Sequence, residues 1–318
     1  MIALLLIALA GAGAQLVDGS LGMGYGVTSA SLLLALGTAP ALASASVNVA
    51  QIATTFISGA SHHRFGNVDW SIVRRLSVPG AVGGIAGATF LSGLSTQAAR
   101  PLMAVLLFTL AIGIIVRFTV GGKPGTGRLA LLSGRRGFLA PLGLVGGFVN
   151  ATGGGGWGPV VTSTLISTSP VAPRRVIGSV SASEFVVTVA ASVGFLVGLG
   201  FTGIDLRIVA ALMAGGVVAA PVAARLAGLL PAPVLGVCVG GLILLLNVAP
   251  VLTFAGIDGV PARAIEGVLA AAWLAVLTRA ISRVRAERGA ESDSSDPVEP
   301  SAFTGPAESA GRPTEVVP

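Results

Sequence analysis

The sequence predicts an all-α protein: a polytopic transmembrane helical bundle built from an inverted internal repeat with two glycine-rich re-entrant hairpins. Three observations carry that expectation, namely a shortage of charge, apolar runs of membrane-spanning length, and a spacing at which the chain repeats itself. Of the 318 residues only 10% are Asp, Glu, Lys or Arg, against about 25% in a soluble domain. Another 53% are hydrophobic and 46 residues are glycine. Such a composition belongs in a bilayer. The one cysteine, Cys238, lies inside an apolar run, which excludes a disulfide scaffold, a zinc finger and an iron–sulfur site.

Taken in order, the first element is short. Residues 1–14 are apolar and lead into a polar, glycine-rich loop and a second short apolar piece, a pattern that suits a re-entrant half-helix better than a span. Full-length segments follow at 41–61, 72–91 and 101–118, each able to cross about 30 Å at 1.5 Å per residue. The series then begins again. A short piece at 138–149 with its own glycine loop precedes spans at 173–199, 206–226 and 233–252, and one more span covers 261–280. A cleaved signal peptide is not expected, because residues 1–14 lack a basic start and their removal would delete the partner of 138–149.

The two series match at a set of spaced positions. At a spacing of 132, Gly11 meets Gly143, Asp18 meets Asn150, Gly24 meets Gly156, Tyr25 meets Trp157 and Gly26 meets Gly158. With small slips Pro40 aligns with Pro173, Gln51 with Glu184, Asp69 with Asp205, Gly80 with Gly216 and Pro101 with Pro233. The chain therefore reads as a duplication. Each copy makes an odd number of crossings if its hairpin makes none or two, so the copies enter the membrane with opposite orientation. Placing the linker 119–136 in the cytoplasm puts fifteen bases inside and only Arg100, Arg207 and Arg263 outside, as the positive-inside rule requires.

The organisation expected is a first transmembrane repeat at 1–118, a basic cytoplasmic linker at 119–136, a second repeat at 137–254, an additional C-terminal transmembrane helix at 255–284, and a disordered acidic tail at 285–318. In that tail Glu291, Asp293, Asp296, Glu299, Glu308 and Glu315 stand against Arg312 after position 288, with almost no large apolar residue to bury. The formal charge of +6 does not point to nucleic acid, since the bases cluster at the ends of apolar runs.

Chemistry can sit in few places. Asp18 and Glu184 are the acids at depth; Glu184 lies about 16 Å along its helix from Pro173, close to the midplane, and its repeat mate is Gln51. A carboxyl there is costly, so it faces a cavity, a partner or a permeation path, or serves as hydrogen-bonded glue between helices. Asn48 and Ser181 precede Gln51 and Glu184 by three residues and share their helical faces. The loops read Asp18-Gly-Ser-Leu-Gly-Met-Gly-Tyr-Gly and Asn150-Ala-Thr-Gly-Gly-Gly-Gly-Trp-Gly-Pro. Unpaired N–H groups where each second half-helix begins make an anion site that needs no cationic side chain; the alternative is that the glycines only permit tight packing. The expected substrate-binding set is Asp18, Gly22, Gly24, Tyr25, Gly26, Asn48, Gln51, Asn150, Gly154, Gly155, Gly156, Trp157, Gly158 and Ser181, with Glu184 and Asp18 for proton coupling. His62 and His63 are placed in a solvated cytoplasmic loop, and no nucleophile–base or metal spacing is present, so neither an enzyme nor a cofactor is expected.

The duplicated glycine hairpins, each followed by a proline and a serine-containing helix, resemble the sulfite exporter TauE/SafE family, also called the toluene sulfonate uptake permeases. The resemblance covers residues 1–252 and implies a bacterial inner-membrane carrier of small sulfur-containing anions such as sulfite, sulfonates or sulfoacetate, often proton-linked. Met23 and Tyr25 depart from the usual first loop. An anion channel with the same polar centre, or a scaffold that transports nothing, are the other readings. The partners expected are a small anion and the lipid bilayer, with homo-oligomerisation left open and nucleic acid excluded.

Overall fold

A computed structural model describes residues 2–120, 137–169, 171–200, 203–227, 229 and 231–294. All regular structure among them is helical: α1 Ile2–Leu21, α2 Tyr25–Ala35, α3 Pro40–Arg64, α4 Trp70–Ser92, α5 Thr96–Val120, α6 Leu139–Gly153, a π-helical turn Gly158–Thr162 continuing as α7 Ser163–Thr168, α8 Pro173–Leu199, α9 Leu206–Leu226, α10 Ala232–Phe254 and α11 Val260–Ser294. Seven of these, α1, α3, α5, α8, α9, α10 and α11, are long and apolar enough to cross a membrane. α4 has the length expected of it but is not among the seven, and Arg74 and Arg75 interrupt its first turns.

Local chemistry fixes several helix starts. Asp69 accepts from Ser71 N–H at 2.8 Å before α4, and Asp205 accepts from Arg207 N–H at 2.8 Å before α9; each is an N-cap that satisfies an otherwise orphaned donor. Pro40 and Pro173 open α3 and α8, where a missing N–H costs nothing.

The halves exchange partners. α4 packs on α6 and α8, while α9 packs on α1 and α3, and α5 lies against α10. Missing side chains let these backbones approach: a Cβ built on Gly11 of α1 would come 2.7 Å from the Leu212 carbonyl oxygen of α9, and one on Gly143 of α6 would come 2.8 Å from the Leu76 carbonyl oxygen of α4. α3 and α8 cross in the middle.

Polarity is arranged inside out. Gln15, Asp18, Asn48, Gln51, Asn150 and Glu184 are buried, whereas Leu5, Leu9, Val78, Val82, Val193 and Val218 are exposed. A protein surrounded by hydrocarbon has this distribution.

Two boundaries differ from expectation. α1 continues through Asp18 to Leu21 and is 20 residues long, about 30 Å, so it is not the 14-residue piece expected. Ser20 holds its last turn by donating to the Leu16 carbonyl at 2.6 Å. α11 runs on to Ser294, past the boundary at Arg285 expected for a disordered tail, because Val284 to Ala290 offers no helix breaker except Gly289. The remainder of that tail, 295–318, and most of the linker, 121–136, lie outside the described residues.

Candidate functional site

Each hairpin is closed by its own polar residue. Asp18 sits in the last turn of α1, and Asn150 in that of α6, so both are helical and not in the loops where the sequence put them. After α1 the chain reverses through Gly22 and Gly24, with φ of 71° and 136°, and after α6 through Gly154, with φ of 72°; these angles favour glycine. Tyr25 N–H then donates to Asp18 Oδ1 at 3.4 Å, and Trp157 N–H to Asn150 Oδ1 at 3.2 Å. One N–H at each expected anion terminus is thus already occupied. The reason is geometric: seven residues separate donor and acceptor, enough to bring a helix end back to the start of its partner.

The two aromatics tie the hairpins to the bundle, Tyr25 by a hydrogen bond to the opposite half and Trp157 by one within its own. Tyr25 donates its hydroxyl hydrogen to the Leu212 carbonyl at 3.0 Å, and Trp157 donates its indole N–H to the Val180 carbonyl at 3.2 Å. Their rings lie where side chains are missing. A Cβ on Gly216 would stand 3.0 Å from Tyr25 Cε2, and one on Gly80 would stand 2.6 Å from Trp157 Cη2.

The hairpin tips meet each other. Gly26 lies against Gly154 and Gly155, Gly158 lies against Gly22 and Met23, and the Thr162 hydroxyl donates to the Gly22 carbonyl at 2.6 Å. Gly156 instead faces Val149 of its own hairpin, and Gly24 faces Val17. The glycines thereby allow close packing, the structural role weighed against anion binding. Beside this junction, a Cβ on Gly26 would be 3.3 Å from Gln51 Nε2.

There the crossing of α3 and α8 supplies the polar centre. Gln51 Nε2 donates to Glu184 Oε1 at 3.2 Å, while Gln51 Oε1 has no partner. Asn150 Nδ2 donates to Asn48 Oδ1 at 3.1 Å, and Asn48 Nδ2 to the Ser44 carbonyl at 2.9 Å. Ser181 is buried one turn from Glu184. Asp18 is the other buried carboxyl among the described residues. No Lys or Arg is among the buried residues described, so the site offers an incoming ligand amides, hydroxyls, backbone donors and two carboxyls.

Two residues were missed by sequence. His62 is not solvated: it is fully buried in the last turn of α3, its Nε2 is 3.2 Å from the Gly19 carbonyl, and only His63 is exposed, edge-on to Trp70 at 5.4 Å. Eleven residues separate it from Gln51, three helical turns, and that spacing was the available signal. Gln15, three residues before Asp18, is buried with its Nε2 unpartnered.

Residues 7–250 match the family described as sulfite exporter TauE/SafE. The chain belongs to the TauE/SafE family. It is also 47% identical over 244 residues, 77% of this chain and 81% of the relative, to the probable membrane transporter protein YtnM of Bacillus subtilis (strain 168). No solved structure matches it. As a TauE/SafE protein it is a multi-pass membrane transporter, and every site residue named above lies within the matched segment, whereas α11 lies beyond it.

Proposed function

We propose that this TauE/SafE protein is a secondary transporter of small sulfur-containing anions of the sulfite, sulfonate and sulfoacetate class, linked to protons and working by alternating access of two inverted repeats. The observation that carries the reading is the Gln51–Glu184 pair at 3.2 Å, a carboxyl without a buried cation beside the junction of two hairpin tips. Anion and carboxylate repel in a poorly screened interior, so substrate entry favours a proton on Glu184, which is coupling in its simplest form. The amides of Asn48 and Gln51, Ser181, and the backbone of the two glycine loops would hold the anion, with Asp18 and Asn150 keeping each hairpin closed.

The buried tips, with Met23 at 2% exposure and Trp157 at 0%, support hairpins that re-enter the bilayer and end inside it. Tips in mutual contact favour a carrier over a continuously open channel. Because α1 packs on α9 and α4 on α6, the units that rock against one another take helices from both halves. The family and its Bacillus relative support a bacterial inner membrane as the location, and the clustering of bases supports a cytoplasmic C-terminus.

Purified protein in proteoliposomes tests the reading. Uptake of radiolabelled sulfite or an organosulfonate should saturate, show counterflow and respond to an imposed pH gradient. Linear, non-saturating flux would mean a channel, and absence of flux with every anion of the class would remove the substrate assignment.

A further inference from the structure

One face of α3 is polar from end to end. Ser44, Asn48, Gln51, Thr55, Ser58 and His62 recur at intervals of four and three, and at 100° per residue they fall within about 40° of one line. All six are buried, none more than 2% exposed. The line is about 27 Å long, close to the hydrocarbon thickness of a membrane.

The matched face of α8 is different. Its residues are Ile177, Ser181, Glu184, Thr188, Ala191 and Phe195, all buried, so it is polar only across the middle three. Along its own helix Glu184 is followed by Thr188 and, at the edge of that face, Ser192, whereas α3 carries the longer polar line and leads to the arginine-rich end.

Between Glu184 and the end of α3 the groups follow one another. Gln51 Nε2 lies 3.2 Å from Glu184 Oε1, and Thr55 donates to the Gln51 carbonyl and stands 3.5 Å from the Thr188 hydroxyl. Next comes the Ser58 hydroxyl, buried with no protein partner. Such a group calls for water. Last is His62, whose Nε2–H donates to the Gly19 carbonyl while Asn67 Nδ2 stands 3.5 Å from Nδ1.

We propose that this face of α3 is a proton pathway between Glu184 and the arginine-rich end of the molecule, with His62 as its outer exchange group and Ser58 holding water between them. The proposal rests on reading Glu184 as a proton carrier. One proton enters at His62 Nδ1, displacing the Asn67 amide, and another leaves from Nε2 as its bond to the Gly19 carbonyl is given up. It passes to water at Ser58 and on to the Glu184 carboxylate, and rotation of the imidazole restores the starting tautomer. The titratable groups around this end are Asp18 on α1, Arg225 on α9, which lies over the Phe65 ring at 5.9 Å, Arg174 and Arg175 in the first turn of α8, Asp69 before α4, and His63 and Arg64 on α3. Among these only Asp18 is buried with His62.

Stopped-flow infrared spectroscopy of the full chain in lipid nanodiscs can follow the protonated carboxyl stretch after a pH jump, with Glu184→Gln identifying the Glu184 band. His62→Gln keeps a donor for the Gly19 carbonyl but cannot relay a proton; it should slow that band by about tenfold or more, and added imidazole should restore most of the rate. Ser58→Ala, a milder change, should slow it several-fold. An unchanged rate in monodisperse His62→Gln protein, a slowing that imidazole leaves untouched, or the absence of any Glu184 band overturns the pathway. Uptake that ignores a pH gradient, in a wild-type protein whose Glu184 band responds through His62, would instead remove the coupling assigned to Glu184 and leave the pathway standing.

Discussion

Gln51 and Glu184 are 133 positions apart in sequence and are hydrogen-bonded to each other at 3.2 Å. Thr55 and Thr188, separated by the same 133, approach to 3.5 Å. Both contacts set corresponding positions of the two copies against each other where α3 meets α8, so the acid of the site stands beside its own repeat mate. Exchanging the two side chains should therefore return the carboxyl to nearly the same place.

That expectation is testable. Glu184→Gln should abolish the dependence of uptake on a pH gradient while keeping substrate binding, because the amide has almost the same volume. The exchange Gln51→Glu with Glu184→Gln should restore the dependence, since the carboxyl returns to the same place on the opposite helix. Proteoliposome uptake with and without an imposed gradient measures both, and a double variant as uncoupled as the single one would show that the carboxyl must be on α8.

The contact of the hairpin tips sets a steric prediction. Gly26→Ala drives a methyl group into the backbone of Gly154 and Gly155, and should cost about 1–3 kcal/mol as overpacking, read as a lower Tm in detergent together with lost uptake. Gly13→Ala on α1, where a Cβ would meet nothing within 4 Å, should leave both unchanged. Equal effects from the two would remove the tips from the explanation.

Tyr25 provides a hydrogen-bond prediction. Tyr25→Phe removes the donor to the Leu212 carbonyl but keeps the ring against Gly216, so it should destabilise by about 1 kcal/mol. Gly216→Val, which drives a side chain into that ring and Thr54, should cost more than Tyr25→Phe. Thermal unfolding of the three proteins gives the order, and the reverse order would mean that the ring is not seated as described.

For topology, reporter fusions after Arg128 and after Arg288 should read cytoplasmic and one near Gly203 external. Opposite sides for the first two would break the inverted orientation of the repeats.

Much of this was legible because hydropathy measures contact with hydrocarbon. Runs such as 173–199 and 206–226 coincide with α8 and α9, and Asp69 and Asp205, aligned by the repeat, cap α4 and α9. Misreadings occurred where a helix turns a polar face to protein instead of lipid. Asp18 and Ser20 looked like the start of a loop, yet they extend α1 because their neighbours are other helices. His62 looked like part of a solvated loop for the same reason. The exchange of α4 and α9 between halves could not be read at all, since it depends on which glycine faces which backbone, and composition alone does not tell Gly83, set against Leu144, from Gly113, which meets nothing within 4 Å.

That exchange governs how the protein comes into being. When synthesis has reached Val120, α1 still lacks α9 and α4 lacks both α6 and α8, so the faces that hold Gly11, Gly83 and Gly87 have no partner backbone in the nascent chain. The first half must wait in the bilayer, uncovered, until the second is inserted beside it. Each half thus completes the packing of the other.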